Sequence, residues 1–226
     1  MTSASPGTPA SPGWRDALFV AACTRLAALT ADFHRRGWTP ATSSNFSFRI
    51  DTEHCAVSAS GGDKSSIRPD DLLVTHIDGR IIDAAPGSRP SAEAGLHQAL
   101  YRRDPTIGAV LHTHAPRAVI AARVLLDRPI RLRDYELLKA FDDIDSHDAE
   151  LSVPVIGNDQ DISRLARAAD SALSQTQGAW AYLIAGHGVY AWGRDLDAAA
   201  RHLEALDYLL GVELELARHQ VGTPSA

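Results

Sequence analysis

The run Ile107-Gly108-Ala109-Val110-Leu111, closed by His112-Thr113-His114, constrains this chain more than any other segment. Five small or apolar residues ending in a polar triplet predict a buried strand whose last residues leave the core. Side chains two apart on a strand share a face, so His112 and His114 stand about 7 Å apart along it, and both imidazoles can turn onto one metal ion. An isolated His-X-His is equally compatible with two ordinary histidines at a strand end. Here Ala115-Pro116 begins a helix directly afterwards, and functional groups of α/β proteins gather where strands end and helices begin.

The rest of the chain supplies partners for that strand. Leu18, Ala21, Ala22, Leu26, Leu29 and Phe33 recur at helical spacing between Trp14 and Arg36, with Gly37 placed to stop the helix. Phe46, Phe48 and Ile50 alternate as a strand. Cys55 to Ala59 reads as another, and Leu72 to His76 with Arg80 to Ile82 flank the hairpin signal Asp78-Gly79. Helices are predicted over Ser91–Arg103, Pro116–Leu125, Asp159–Gln175 and Leu196–Ala217, the last capped by Asp195. Strands are predicted over Leu151–Ile156, Trp180–Ala185 and Val189–Trp192. Arg131–Glu150 is polar and reads as loop with a short helix near Tyr135–Phe141. Both hairpin and helical connections join the strands. The expected fold is therefore α/β: a single three-layer α/β/α domain with a mixed, largely antiparallel central sheet. It spans residues 14–222, after a Pro/Ser/Gly-rich tail at residues 1–13 expected to be disordered.

Composition closes off several functions. A net charge of −6 argues against a nucleic-acid binder working through a basic surface, and the apolar runs are too short and interrupted for a membrane span. Cys23 and Cys55 have no metal-type spacing and read as buried free thiols, which suits a reducing cytoplasm.

A third imidazole is offered by His187, set between Gly186 and Gly188, where a tight turn can expose a ring; a plain turn is the alternative. Three histidines with a vacant position describe a catalytic zinc site. Two carboxylates accompany them. Glu93 opens the helix after Ser91-Ala92, where a carboxylate suits the helix dipole, and His97 lies one turn on. Glu136 is followed one turn later by Lys139, and a surface ion pair explains that spacing by itself. The Ser43-Ser44-Asn45 segment and the Ser58–Ser66 segment, with Ser60, Gly61 and Lys64, offer hydroxyls, backbone N–H groups and a cation for an anion, though solvated loops would look the same. His34, His54, His76, His202 and His219 have no matching partners; His147 lies near the Glu136 segment.

Taken in order, Ser44-Asn45-Phe46-Ser47, Ser58 to Ser66, Arg89-Pro90-Ser91-Ala92-Glu93, His112-Thr113-His114 and Gly186-His187-Gly188 resemble the class II aldolase/adducin superfamily. Ser44 departs from the glycine usual there. The resemblance implies one zinc ion per subunit on His112, His114 and His187, and a small sugar phosphate as substrate. It gives Asn45, Ser60 and Gly61 to the phosphate, with Lys64 and Ser91 beside them, and makes Glu136 the acid/base residue with Glu93 a second candidate. Tyr135-Glu136-Leu137-Leu138-Lys139-Ala140 and Asn158-Asp159-Gln160-Asp161-Ile162 resemble the dehydratases of the superfamily more than its aldolases or epimerases. A homo-oligomer, a tetramer, is implied by the same resemblance. A non-enzymatic interaction module, as in the adducin branch, would need none of these ligands.

Overall fold

The computed structural model describes residues 13–124 and 129–221. Most of the expected tail, and Leu125 at the expected end of the third helix, lie outside the described residues. Among the described residues there are ten strands: β1 (Asn45–Arg49), β2 (His54–Ser58), β3 (Leu72–His76), β4 (Ile81–Asp83), β5 (Ala109–Thr113), β6 (Ile130–Arg133), β7 (Glu150–Val153), β8 (Val155–Ile156), β9 (Ala181–Ile184) and β10 (Gly188–Gly193). Five α-helices accompany them: α1 (Ala17–Arg35), α2 (Ala94–Arg103), α3 (Pro116–Val124), α4 (Ile162–Ser174) and α5 (Leu196–Val221). Eight strands form one sheet in the order β4-β3-β2-β1-β5-β10-β9-β8, antiparallel except for the β8/β9 pair, and β6 with β7 makes a separate ribbon. The histidine strand β5 is central, with β1 and β10 on its two sides.

Alternation on the strands divides the core in two, as the predicted layered fold requires. Ala109 and Leu111 of β5, Val189 and Ala191 of β10, and Phe46 and Phe48 of β1 face the layer built from α1, α3 and α5. Val110, Tyr190, Trp192 and Tyr182 face the layer of α2 and α4. Helix α1 is long and apolar enough to cross a membrane by length and composition alone. Here it buries Phe19, Cys23, Leu26, Leu29 and Phe33 in the core, while Arg25 reaches Asp197 and Asp32 reaches Arg36 on its outer side. Both cysteines are free and buried.

Several boundaries differ from the sequence reading, and four of these differences have a local reason. Helix α2 begins at Ala94 rather than Ser91, because Ser91 Oγ accepts the Glu93 N–H and holds that segment as a turn. Asp161, not Asp159, caps α4 by accepting from the Arg164 N–H. The single strand expected over Leu151–Ile156 is two, since Pro154 has no N–H for a ladder. Beyond it the chain leaves β6 and joins the edge of the main sheet beside β9. Strand β6 lies where loop was expected: Ile130 and Leu132 are buried between exposed Arg131 and Arg133, and the arginines face Glu150 of β7. The final helix also runs past Ala217 to Val221.

Gly188, first residue of β10, tests this close packing. A Cβ there would stand 2.2 Å from the Thr113 carbonyl oxygen and 3.2 Å from the His112 ring. Gly188→Ala is expected to cost about 3 kcal/mol in urea denaturation, the upper end of overpacking penalties. Gly157→Ala, with nothing within 4 Å of its added methyl, should change stability by less than about 0.5 kcal/mol.

Candidate metal centre and adjoining clefts

Strand register assembles the site. Asn45 pairs with His112 across β1/β5, His112 with Tyr190 across β5/β10, and Tyr190 with Tyr182 across β10/β9. Residues directly opposite each other share a face, so this row presents an amide, an imidazole and two phenols to the layer holding the start of α2. The His112 ring stacks on Tyr190 at 4.2 Å between centroids, and Tyr190 on Tyr182 at 5.0 Å.

His114 follows the end of β5, and its backbone N–H donates to the Trp38 carbonyl. His187 sits on the β9–β10 turn, where Gly186 takes a φ of +67° that L-residues disfavour and Gly188 leaves the Thr113 carbonyl uncrowded. One nitrogen from each of His112, His114 and His187 lies within 4.8 Å of the others. The His112 and His114 Nε2 atoms are 3.1 Å apart. Tetrahedral ligands about 2.05 Å from a zinc ion stand about 3.3 Å from one another, so the spacing fits. His112 Nδ1 donates to the Val189 carbonyl at 2.9 Å, which leaves the Nε2 lone pair for an ion. Burial pushes the His112 pKa well below its ordinary range, and burial, with the His187 charge behind it, also lowers that of His114. Neutral rings are the form that binds metal. The three side chains expected from sequence therefore do converge, and their donor set fits a metal ion.

Glu93 is the carboxylate at this centre. Its Oε1 lies 2.9 Å from His187 Nε2, and its Oε2 lies 2.7 Å from Asn45 Nδ2, 3.3 Å from the Tyr190 hydroxyl and 3.5 Å from His112 Nε2. Burial alone would raise its pKa. The His187 hydrogen bond, the His112 and His187 charges and the Asn45 bond outweigh burial and hold the carboxyl well below the usual range. Although Glu93 precedes the first residue of α2, its side chain caps no helix N–H; it is turned to the histidines instead. His97, one turn on and able to reach Glu93 by spacing, bonds instead to Asn45 and Ser47.

Two clefts flank Glu93 and His114. One, of about 370 Å³, is lined by Asn45, Ser60, Gly61, Lys64 and Ser91, all five residues expected to bind phosphate. Lys64 is 4% exposed, and its Nζ donates to the Ala59 and Gly62 carbonyls at 3.0 and 2.9 Å. No carboxylate lies within ion-pair distance of it among the described residues, so these two bonds leave one of its three ammonium protons uncommitted. Burial lowers its pKa, and the Asp71 and Asp63 charges oppose that. The Asn45 side chain differs from expectation: it lines the cleft, but both ends of its amide are engaged within the wall. Ser44, the departure from glycine, has a φ of +81°, which explains why glycine suits that position. The second cleft, of about 300 Å³, lies between Glu93, His114 and His187 on one side and the Asn158-Asp159-Gln160 loop with Ile162 on the other.

Glu136 is not brought to the histidines by its own chain. It lies in a 3-10 turn (Glu136–Ala140) with its side chain 75% exposed, and Lys139 Nζ donates to it at 2.6 Å. The Lys139 bond and charge lower its pKa. The cleft it lines is a separate one, with Arg201, Glu204 and Tyr208 of α5. His147 is exposed and pairs with Asp148, away from the centre. Tyr190 is a site residue that sequence reasoning missed, since only the β5/β10 register, a tertiary fact, puts it beside His112; the Asn158–Gln160 segment was noted for its resemblance but given no place at the site.

The chain matches the family described as class II aldolase and adducin N-terminal domain over residues 24–214. It is 50% identical over 183 residues to a methylthioribulose-1-phosphate dehydratase of Stenotrophomonas maltophilia (strain R551-3), covering 80% of this chain and 84% of that protein. A protein of the same name from Xanthomonas euvesicatoria pv. vesicatoria (strain 85-10) is 50% identical, with 80% and 83% covered. Among solved structures, an L-fuculose 1-phosphate aldolase superimposes with a TM-score of 0.72 at 22% identity, over 91% of this chain and 90% of that one. YgbL of Escherichia coli, a putative aldolase/epimerase/decarboxylase, gives 0.71 at 20% identity, over 88% and 91%. With its fold, its histidine cluster and a matched segment that takes in every donor described above, the chain belongs to the class II aldolase and adducin N-terminal domain family.

Proposed function

We propose that this protein is a zinc-dependent dehydratase that converts 5-methylthioribulose 1-phosphate to 2,3-diketo-5-methylthiopentyl 1-phosphate, a step of methionine salvage. The observation that carries the reading is 50% identity over 80% of the chain to relatives bearing the dehydratase name. The site supports it with a triad of imidazoles, a half-buried carboxylate beside them and an adjoining cleft that Lys64 lines. Buried free thiols suit action in the cytoplasm.

His112, His114 and His187 would hold the zinc ion, which supplies Lewis-acid polarisation of the substrate's C2 ketone and so acidifies the C3 proton. Lys64, Ser60, Ser91 and the Gly61 backbone hold the phosphate. Glu93, the carboxylate nearest the triad, accepts the C3 proton. The C4 hydroxyl then leaves as water with a proton from a general acid, and the resulting enol ketonises to the 2,3-diketone. Glu136 is that acid in the reading taken from the family. Because its own chain holds it at a separate surface, this role requires a neighbouring copy to present it, in keeping with a symmetric tetramer.

The deciding experiment incubates the zinc-loaded protein with 5-methylthioribulose 1-phosphate and follows diketone formation. An aldehyde cleavage product in its place would move the protein to the aldolases.

Replacing His112, His114 or His187 with alanine should drop bound zinc well below one per chain by elemental analysis and abolish turnover, while circular dichroism stays native. Full zinc and turnover in His187→Ala would exclude that ligand. For the phosphate cleft, Lys64→Met should raise KM by about 10- to 100-fold, the worth of one charged hydrogen bond, with a smaller change in kcat. An unchanged KM would remove Lys64 from substrate binding. Glu93→Gln and Glu136→Gln should each lower kcat by about 10²–10⁴-fold. If Glu136 acts across a subunit boundary, inactive Glu136→Gln and His187→Ala chains co-expressed in one assembly should regain turnover, and their failure to do so would retire that role.

A further inference from the structure

Behind Glu93 runs a file of buried polar side chains that the proposed chemistry does not use. The Tyr101 hydroxyl lies 2.8 Å from Ser47 Oγ, and Ser47 Oγ lies 2.7 Å from His97 Nδ1. His97 Nε2 bonds to Asn45 Oδ1, and Asn45 Nδ2 reaches Glu93 Oε2 at 2.7 Å. Ser47 and His97 are 0% exposed, Tyr101 1% and Asn45 3%, so all four are shut off from bulk solvent.

The donors and acceptors admit one orientation. Ionised Glu93 only accepts, so Asn45 must turn its NH₂ toward Glu93 and its Oδ1 toward His97. An amide oxygen only accepts, so His97 Nε2 carries the proton. A neutral imidazole has a single N–H, so Nδ1 accepts from the Ser47 hydroxyl, and Ser47 in turn accepts from the Tyr101 O–H. Burial keeps His97 neutral, its pKa pulled down to about 3 despite the Glu93 charge, and keeps Tyr101 a phenol. Every bond in the file points toward Glu93, and bonds aligned in one direction polarise one another. The opposite tautomer would set Asn45 Oδ1 against Glu93 Oε2, two acceptors at 2.7 Å.

We propose that His97 is a positioning residue: protonated at Nε2, it locks the Asn45 amide so that Glu93 Oε2 is held from behind and Oε1 is the oxygen left to the metal centre. The proposal rests on Glu93 handling a proton in the reaction, and it gives Asn45 a role other than the phosphate contact expected from sequence. The Tyr190 hydroxyl, also on Oε2, completes the hold, and the His97 ring meets Tyr190 edge-on at 5.4 Å between centroids.

Two measurements test it. In ¹⁵N-histidine-labelled protein, with the signal assigned by its loss in His97→Gln, the ring should show a protonated Nε2 and a bare Nδ1, unchanged between about pH 5 and 8 given its low pKa. An Nδ1–H tautomer, or a ring that titrates in that range, overturns the proposal. In kinetics, His97→Leu removes the donor to Asn45. It should lower kcat by about 10- to 100-fold, the usual effect of an outer partner, with full zinc and KM within about twofold. His97→Gln, whose amide can donate to Asn45 Oδ1, should recover most of the loss. Wild-type kcat in His97→Leu, or an equal loss in both variants, overturns the positioning role. If His97→Leu fails to fold, the tautomer decides by itself. A wild type that makes no diketone would overturn the functional reading and leave the tautomer to judge this inference separately.

Discussion

The antiparallel register between β1, β5 and β10 is the constraint on which the site depends. A strand's side chains alternate with a period of two, so a slip of one residue at β5 would turn His112 into the α1/α3/α5 layer and Leu111 toward Glu93. The buried alternation of β5 and its neighbours forbids that slip, because Leu111, Ala191 and Phe46 would all lose their apolar surroundings together. Core packing thus fixes the position of the histidine-bearing face, and each group on the Asn45–His112–Tyr190 row inherits its place from the hydrophobic residues before and after it.

Glu93 reaches this row from the other layer, and it is held there by several weak constraints acting together. The turn at Ser91 delays the start of α2, which frees the Glu93 carboxylate from capping duty. Asn45, Tyr190 and His187 then surround it. Burial opposes a charge at this position, and the surrounding donors reverse the outcome. A half-buried carboxylate held by donors on both oxygens has a fixed direction. The two clefts on either side of it share the Glu93 and His114 side chains as common wall.

Much of this was legible in the chain. His112, His114 and His187 could be read from strand spacing and a glycine-flanked turn, since both signals are local. The phosphate-side residues Ser60, Gly61, Lys64 and Ser91 share one cleft as read. What stayed hidden depends on pairing at a distance. Tyr190 looks like any buried aromatic until β10 is laid beside β5, and the Asn45 amide cannot be assigned before His97 and Glu93 are known to face it. Strand β6 was masked by its arginines, whose four-residue alternation is too short to outweigh their charge. Glu136 was ambiguous from the start: the spacing to Lys139 reads equally as catalytic acid or surface pair, and the folded chain places it in the surface pair.

The third imidazole differs from the other two in how it is attached. His112 and His114 belong to the most interior strand and its end, whereas His187 rides on the turn that closes the β9–β10 hairpin. Any ion held by all three bridges the interior of the sheet and a loop at its rim. Such an ion would depend for two donors on the packed interior and for the third on a tight turn, and local opening at a turn costs less than loosening a core strand. An opening confined to the β9–β10 turn would then remove one donor while His112 and His114 kept their places.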